Sequence, residues 1–233
     1  MAVTFNLSDR LKTVEGAVGK WNTVADIGCD HGYVSISLIN DKKAQKVLAC
    51  DVNEGPLKAA KENIIQAGLE GIIETRLSDG LHKLTIDDGI EALVIAGMGG
   101  RLMARILEEG IEIVKECKQL VLQPQSEGFL VRQWLFGHGF AIDREFMVED
   151  MGKFYWIIDA SHGEYIKPVN PETEKIFNDF SGYLLQNRDM ILKKYLDNQL
   201  LLSKQYLNGI EVGKGESLRL TIKEIETALE YYH

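Results

Sequence analysis

Between Asp26 and Gly32 the chain reads Asp-Ile-Gly-Cys-Asp-His-Gly, where an apolar, β-branched run ends and a helical pattern begins. Such a junction lets the backbone turn tightly against a ligand. A dinucleotide fingerprint needs G-x-G-x-x-G, but counting from Gly28 the second and third positions are Asp30 and Tyr33. Asp30 would also repel a diphosphate, whereas a cation is welcome beside carboxylates. Two further acids follow the next two strand-like runs. Asp51 stands where a carboxylate can accept hydrogen bonds from both ribose hydroxyls. Asp79, in Ser78-Asp79-Gly80, can accept one from an adenine 6-amino group. Each acid alone can equally be a turn or helix-cap residue. Together they follow three successive strands at the carboxyl ends, where open α/β sheets bind ligands.

A ligand with an adenine, a ribose and positive sulfonium and ammonium groups answers all three acids, so the pattern reads as a site for S-adenosyl-L-methionine (SAM). Its candidate residues are Asp26, Gly28, Cys29, Asp30, His31 and Gly32 at the first turn and Asp51 and Val52 at the second. Asp79 and Gly80 follow at the third, and Ala96 and Gly97 at the fourth. The fourth run ends in Ile95-Ala96-Gly97-Met98-Gly99-Gly100-Arg101, an almost side-chain-free floor with space for a flat methyl acceptor.

The elements that must hold these residues are legible as alternating runs. Strands are expected at Thr23 to Gly28, Lys46 to Asp51, Gly71 to Leu77, Glu91 to Gly97 and Gln119 to Pro124, with helical segments between them, which signifies βαβ units on a mostly parallel sheet. Phe140 to Glu149 and Lys153 to Ala160 are expected to close it as an antiparallel hairpin, making seven strands. A helix from about Ser8 to Val18 precedes the sheet, and Pro56 and Gly68 punctuate the start and end of another. After Ala160 the texture changes. The expected domains are residues 1–162, which carry the site, and 163–233, joined by a linker holding Gly163, Pro168 and Pro171. From Glu172 to about Leu207, Ile176, Phe180, Leu184, Ile191, Tyr195 and Leu202 fall on one face of a single long helix. Asn208-Gly209 and Gly213 to Gly215 interrupt it before a shorter helix from Leu218 to Tyr232, so a helical hairpin is expected.

Of the 233 residues, 26 are basic and 35 acidic, and the formal net charge of −9 argues against non-specific coating of nucleic acid, DNA included, or adhesion to an anionic membrane, though not against a local basic patch. No apolar stretch approaches the roughly 20 residues of a membrane-spanning helix, and the start MAVTFNLSDR has no signal-like pattern, so the expected location is cytoplasmic. Cys29, Cys50 and Cys117 are odd in number and widely spaced. They read as packed thiols, with neither a disulfide framework nor a metal knuckle.

Taken together, DIGCDHGYVS, DVNEGP, SDG, IAGMGGRLMARILEEG, LQPQ and the helical tail resemble the bacterial tRNA adenine-N1 methyltransferases that modify adenine 22. The resemblance implies a Rossmann-like class I methyltransferase fold with a C-terminal, coiled-coil-like helical domain, SAM as methyl donor and tRNA as acceptor. It places Asp26, Gly28, Asp30, His31 and Gly32 on the first SAM motif, Asp51 on the ribose acid, and Asp79 and Gly80 on the adenine side. Met98, Gly99, Gly100, Arg101 and Arg105 fall on or beside the acceptor loop. The family's expected Gln-Pro-Asn is here Gln123-Pro124-Gln125, so Gln125 keeps an amide on a longer arm. Because adenine N1 already carries a lone pair, positioning should dominate the chemistry. Asp30, His31 and Gln123 are the candidates for the departing proton or for the base's rim, although Asp30 and His31 can equally serve to shape the cofactor site. Tyr33, Phe154, Tyr155 and Trp156 are stacking candidates or core aromatics. Arg188, Lys193, Lys194 and Lys204 are phosphate ligands or a solvated helix face. A monomer is expected. A small-molecule SAM methyltransferase with an oligomerising tail and a non-catalytic SAM sensor remain open alternatives.

Overall fold

Every strand-like run folds as a strand: β1 (Trp21–Ile27), β2 (Ala44–Asp51), β3 (Ile73–Leu77), β4 (Ala92–Gly99), β5 (Gln119–Ser126), β6 (Phe140–Asp150) and β7 (Lys153–His162). The structure, a computed structural model, describes residues 6–209 and 215–233. One seven-stranded sheet results, in the order β3-β2-β1-β4-β5-β7-β6. β1 to β5 pair in parallel, and β7 runs antiparallel between β5 and β6. The closing hairpin turns at Met151 and Gly152, with φ of 50° and 75°. Two positive φ values suit the twist of a tight hairpin.

Both faces of the sheet are covered, which is why Val47 to Cys50, Ala92 to Ile95 and Leu120 to Leu122 run apolar without alternation. Ala25, Ile27, Leu93 and Ile95 point to one face, against α4 (Gly100–Glu109), α5 (Ile111–Val114) and α6 (Gly128–Gly137). Val24, Ala92, Val94 and Val121 point to the other, against α1 (Asp9–Ala17), α2 (Tyr33–Asn40) and α3 (Glu54–Gln66). The strand order reverses between β1 and β4, so a crevice opens at their carboxyl ends. α1 is tied down at its C-terminal end. Lys43 Nζ donates to the carbonyls of Glu15, Gly16 and Val18 at 2.8, 2.9 and 2.8 Å, satisfying acceptors that a helix end leaves open. The three cysteines are buried and free, and burial raises each thiol's pKa. No helix of the described residues is long and apolar enough to cross a membrane.

The chain divides into two compact units, one ending at Tyr165 and the other beginning at Ile166. In the second unit the expected single helix is in fact three: α7 (Pro171–Phe180), α8 (Gly182–Gln186) and α9 (Met190–Asn208). The breaks fall at Ser181 and Arg188, whose φ values of 69° and 52° leave the helical region. Each new helix is capped by a side chain, with Ser181 Oγ accepting from Leu184 N–H and Asp189 Oδ1 from Ile191 and Leu192 N–H. Consequently Leu192, Leu196 and Ser203 are buried in place of Ile191, Tyr195 and Leu202, one residue later at each step. α10 (Glu216–Leu229) follows, and residues 213 and 214 of the expected Gly213 to Gly215 break lie outside the described residues. Lys204 pairs with Glu226, and Tyr232 Oη donates to the Asp189 carbonyl, so the chain from α10 onward runs antiparallel to α9. Lys175 and Lys223 join α7 and α10 through Glu224 and Glu172. The unit is thus a small bundle in which α10 packs on both α9 and α7, not a two-helix hairpin.

Candidate active site

The turn after β1 is built from left-handed backbone. Gly28, Asp30 and Gly32 have φ of 75°, 49° and 74°, and aspartate is among the few side chains that tolerate this region. Gly28 and Cys29 N–H both donate to the Cys50 carbonyl, at 2.8 and 2.9 Å. Asp30 N–H donates to Asp51 Oδ2 at 3.2 Å, and Asn53 N–H to Asp51 Oδ1 at 2.8 Å. The ends of β1 and β2 are thereby locked together around the Asp51 carboxylate, which is buried. Beneath the turn Asp26 is buried too. Its carboxylate accepts from Ser35 Oγ at 2.6 Å, and burial raises its pKa to about 6 although the Ser35 hydrogen bonds oppose the rise.

Two cavities meet at this turn. The larger, about 470 Å³, holds Asp51, Val52, Asp79, Gly80, Met98 and Arg105 on its walls. The smaller, about 270 Å³, is walled by Asp26, Cys29, His31, Tyr33 and Gln125. Gly28, Asp30, Ala96 and Gly97 line both. At the far end of the larger cavity Ser78 Oγ donates to the Gly80 carbonyl at 2.8 Å and accepts from Lys83 N–H at 3.1 Å, shaping the turn that presents Asp79. Arg105 Nη2 lies 3.6 Å from Asp79 Oδ1. The structure therefore places Arg105 on the wall of the larger cavity, while Arg101 points outward and pairs with Glu127 at 3.0 Å.

Not every expected residue reaches a cavity. Gly32, Gly99, Gly100, Arg101 and Gln123 line neither. Gln123 is fully buried, and its amide is taken up by Arg10, Gly97 N–H and the Pro124 carbonyl. It stands behind the Gly97 to Gly100 loop and supports it. His31 is exposed, with Nε2 3.6 Å from Asp30 Oδ1 and its ring stacked on Tyr33 at 5.5 Å between centroids. Of the stacking candidates Tyr33 lines the smaller cavity, whereas Tyr155 and Trp156 lie under Arg10 and Arg132. The expected phosphate ligands Lys193 and Lys204 are paired with Asp197 and Glu226. Sequence reading missed Arg10 and Leu11 on the smaller cavity, and Asn53, Leu102 and Ile106 on the larger. Asn53 stands two residues past Asp51, the acid that ends β2, and was findable. Arg10 was not, because its partner is 113 residues away.

The larger cavity fits SAM by the chemistry of its donors and acceptors. A buried carboxylate stands at the end of β2, a second carboxylate stands past β3, and Val52, Leu102 and Ile106 give apolar walls between them. A family model described as a methyltransferase domain matches residues 7–158. The tRNA (adenine(22)-N(1))-methyltransferase of Bacillus subtilis is 35% identical over 158 residues, an alignment covering 68% of this chain and 66% of that protein. A Streptococcus pneumoniae candidate tRNA (m1A22) methyltransferase, solved with SAM, is 30% identical and superimposes with a TM-score of 0.87 over 96% of this chain and 100% of that one. M. capricolum TrmK, solved with S-adenosyl-homocysteine, is 25% identical, with a TM-score of 0.85 over 97% and 99%. With likeness extending through both units and the paired cavities at the centre of the first, this chain belongs to the bacterial tRNA (adenine-22-N1)-methyltransferase family.

Proposed function

We propose that this chain transfers a methyl group from SAM to N1 of adenine 22 in tRNA. The observation that carries the reading is the meeting of the two cavities at Gly28, Asp30, Ala96 and Gly97, a cofactor-sized space and an acceptor-sized space sharing one backbone wall. When bound, SAM supplies an electrophilic methyl group. In the larger cavity Asp51 would accept from the ribose hydroxyls, and Asp79 from the adenine of the cofactor, with Val52 and Leu102 against its ring. The smaller cavity would take the target base, turned out of its helix, with Tyr33 offering a face and Gln125 an amide to its rim.

N1 is nucleophilic without a base, so the residues act by alignment and by excluding water. The 6-amino group becomes acidic once N1 is alkylated, and Asp30, which lines both cavities, would accept its proton. The second unit would hold the rest of the tRNA. Its exposed lysine pairs do not preclude phosphate contacts, since surface ion pairs are worth only about 0–1 kcal/mol.

The test is methyl transfer from labelled SAM to unmodified tRNA, with reverse transcription to locate the block that N1-methyladenine imposes. A stop at position 22 that vanishes when adenine 22 is replaced by guanine is the expected result. SAM binding without incorporation into any tRNA would overturn the proposal in favour of a small-molecule acceptor or a sensor.

A further inference from the structure

The Gly97 to Gly100 loop and the Gln123-Pro124 pair are two sides of one irregularity. β4 and β5 pair Ala96 with Gln123 and Met98 with Pro124, so Gly97 bulges out of register, with φ of 79°. A bulged residue loses its ladder partner. The orphan Gly97 N–H is satisfied instead by a side chain, donating to Gln123 Oε1 at 3.1 Å. That oxygen accepts a second, shorter hydrogen bond, from Arg10 Nη1 at 2.6 Å. The other end of the carboxamide donates to the Pro124 carbonyl at 3.0 Å.

This arrangement gives Arg10 a definite task. A carboxamide can turn end for end with little change of shape, exchanging its acceptor for its donors. Turned over, Gln123 would present N–H groups to Gly97 N–H and to the guanidinium, donor against donor at both. Arginine stays protonated and offers no acceptor, so Arg10 admits only the orientation in which Gln123 accepts from Gly97. Arg10 is itself held, with its guanidinium carbon 5.3 Å from the centre of the Tyr155 ring and its helix anchored by Lys43. We propose that Arg10 is a positioning residue for methyl transfer, fixing through Gln123 the Ala96–Gly97 backbone that both cavities share. The inference rests on reading those cavities as cofactor and acceptor sites.

The experiment measures steady-state methylation of tRNA and S-adenosyl-homocysteine affinity for the full-length wild type, Arg10→Ala, Arg10→Lys, Gln123→Leu and the double variant Arg10→Ala/Gln123→Leu. Misplacing reacting groups by ~1 Å can cost on the order of 100-fold, so kcat at saturating tRNA is expected to fall roughly 30-fold in Arg10→Ala, with Tm and S-adenosyl-homocysteine affinity nearly unchanged. Gln123→Leu should lose about as much and the double variant no more, because both remove one arrangement. Arg10→Lys, which keeps a donor to Gln123, should recover part of the rate. An active wild type with Arg10→Ala within about threefold of it, or additive losses in the double variant, would overturn the inference alone. So would a rate loss matched by an equal loss of cofactor affinity. A wild type that methylates no tRNA would overturn the functional reading and this inference with it.

Discussion

The backbone N–H of Asp30 donates to a carboxylate oxygen of Asp51 at 3.2 Å, so the acid that ends β2 holds the turn that follows β1. Its other oxygen accepts from Asn53 N–H at 2.8 Å. Asp51 thus organises both flanks of the cofactor cavity while keeping lone pairs for a ligand. One carboxylate is the scaffold here and, in the proposed function, the ribose acceptor as well.

Replacing Asp51 with Asn leaves a single oxygen to serve both backbone donors and turns an N–H against one of them. Hydrogen bonds to charged groups contribute about 1.5–3 kcal/mol, so Asp51→Asn is expected to weaken S-adenosyl-homocysteine binding by roughly 10- to 100-fold. Titration calorimetry reads this directly. An affinity within about threefold of the wild type would show that the carboxylate does not organise the site.

Asp26 gives a pH signature of opposite sign to the usual carboxylate. Burial raises its pKa from 3.8 to about 6 in the folded protein, so between these values the folded state binds more protons than the unfolded one. Stability from this group therefore falls as pH rises from about 4 to 6 and is level above. At roughly 1.4 kcal/mol per pH unit, the span is on the order of 2–3 kcal/mol. Urea unfolding of wild type and Asp26→Asn across this range should show a stability difference that shifts in favour of the variant with rising pH. A difference independent of pH would contradict the assignment.

Local signals carried the first unit. The central strands are buried on both faces and so read as short apolar, β-branched runs, and the acids and glycines of the turns sit at or just past strand ends. The sequence did not reveal what depends on distant partners, such as Arg10 reaching Gln123 or Arg105 folding back on Asp79. In the tail the apolar period carried across the breaks at Ser181 and Arg188, so one helix was read where three exist. The informative residues were Ser181 and Asp189, whose side chains cap new helices. A cap inside an apolar period outweighs the period, because it fixes a start and resets the phase.

Gly100, at the start of α4, admits no side chain. A Cβ there would collide with the Glu127 carbonyl and lie 2.8 Å from the Ser126 oxygen, both backbone atoms that no rotamer change can move. Overpacking of this kind costs about 1–3 kcal/mol, and for a chain of this size each kcal/mol lowers Tm by roughly 2–4 °C. Gly100→Ala is expected to melt several degrees below wild type. Gly55→Ala, in α3 with open space around the new methyl, should melt at or above it. Equal melting of the two variants would remove the steric explanation for glycine at position 100.

The two arginines of α4 face different surroundings. Arg101 is exposed and paired only with Glu127 among its described ion pairs, whereas Arg105 pairs with Asp79 on the cofactor cavity. In a chain of net charge −9, tRNA affinity must come from a few local cations, each phosphate contact adding about 0.7–0.9 to the slope of log affinity against log salt. Arg101→Ala is expected to weaken tRNA binding a few-fold at low salt and to reduce that slope by roughly one contact, with S-adenosyl-homocysteine affinity intact. Arg105→Ala should do the reverse, changing cofactor affinity and leaving the salt slope in place. Filter binding over a salt series together with calorimetry distinguishes them. If Arg105→Ala flattened the slope and Arg101→Ala did not, the tRNA path would run over the cofactor cavity instead of along the outer face of α4.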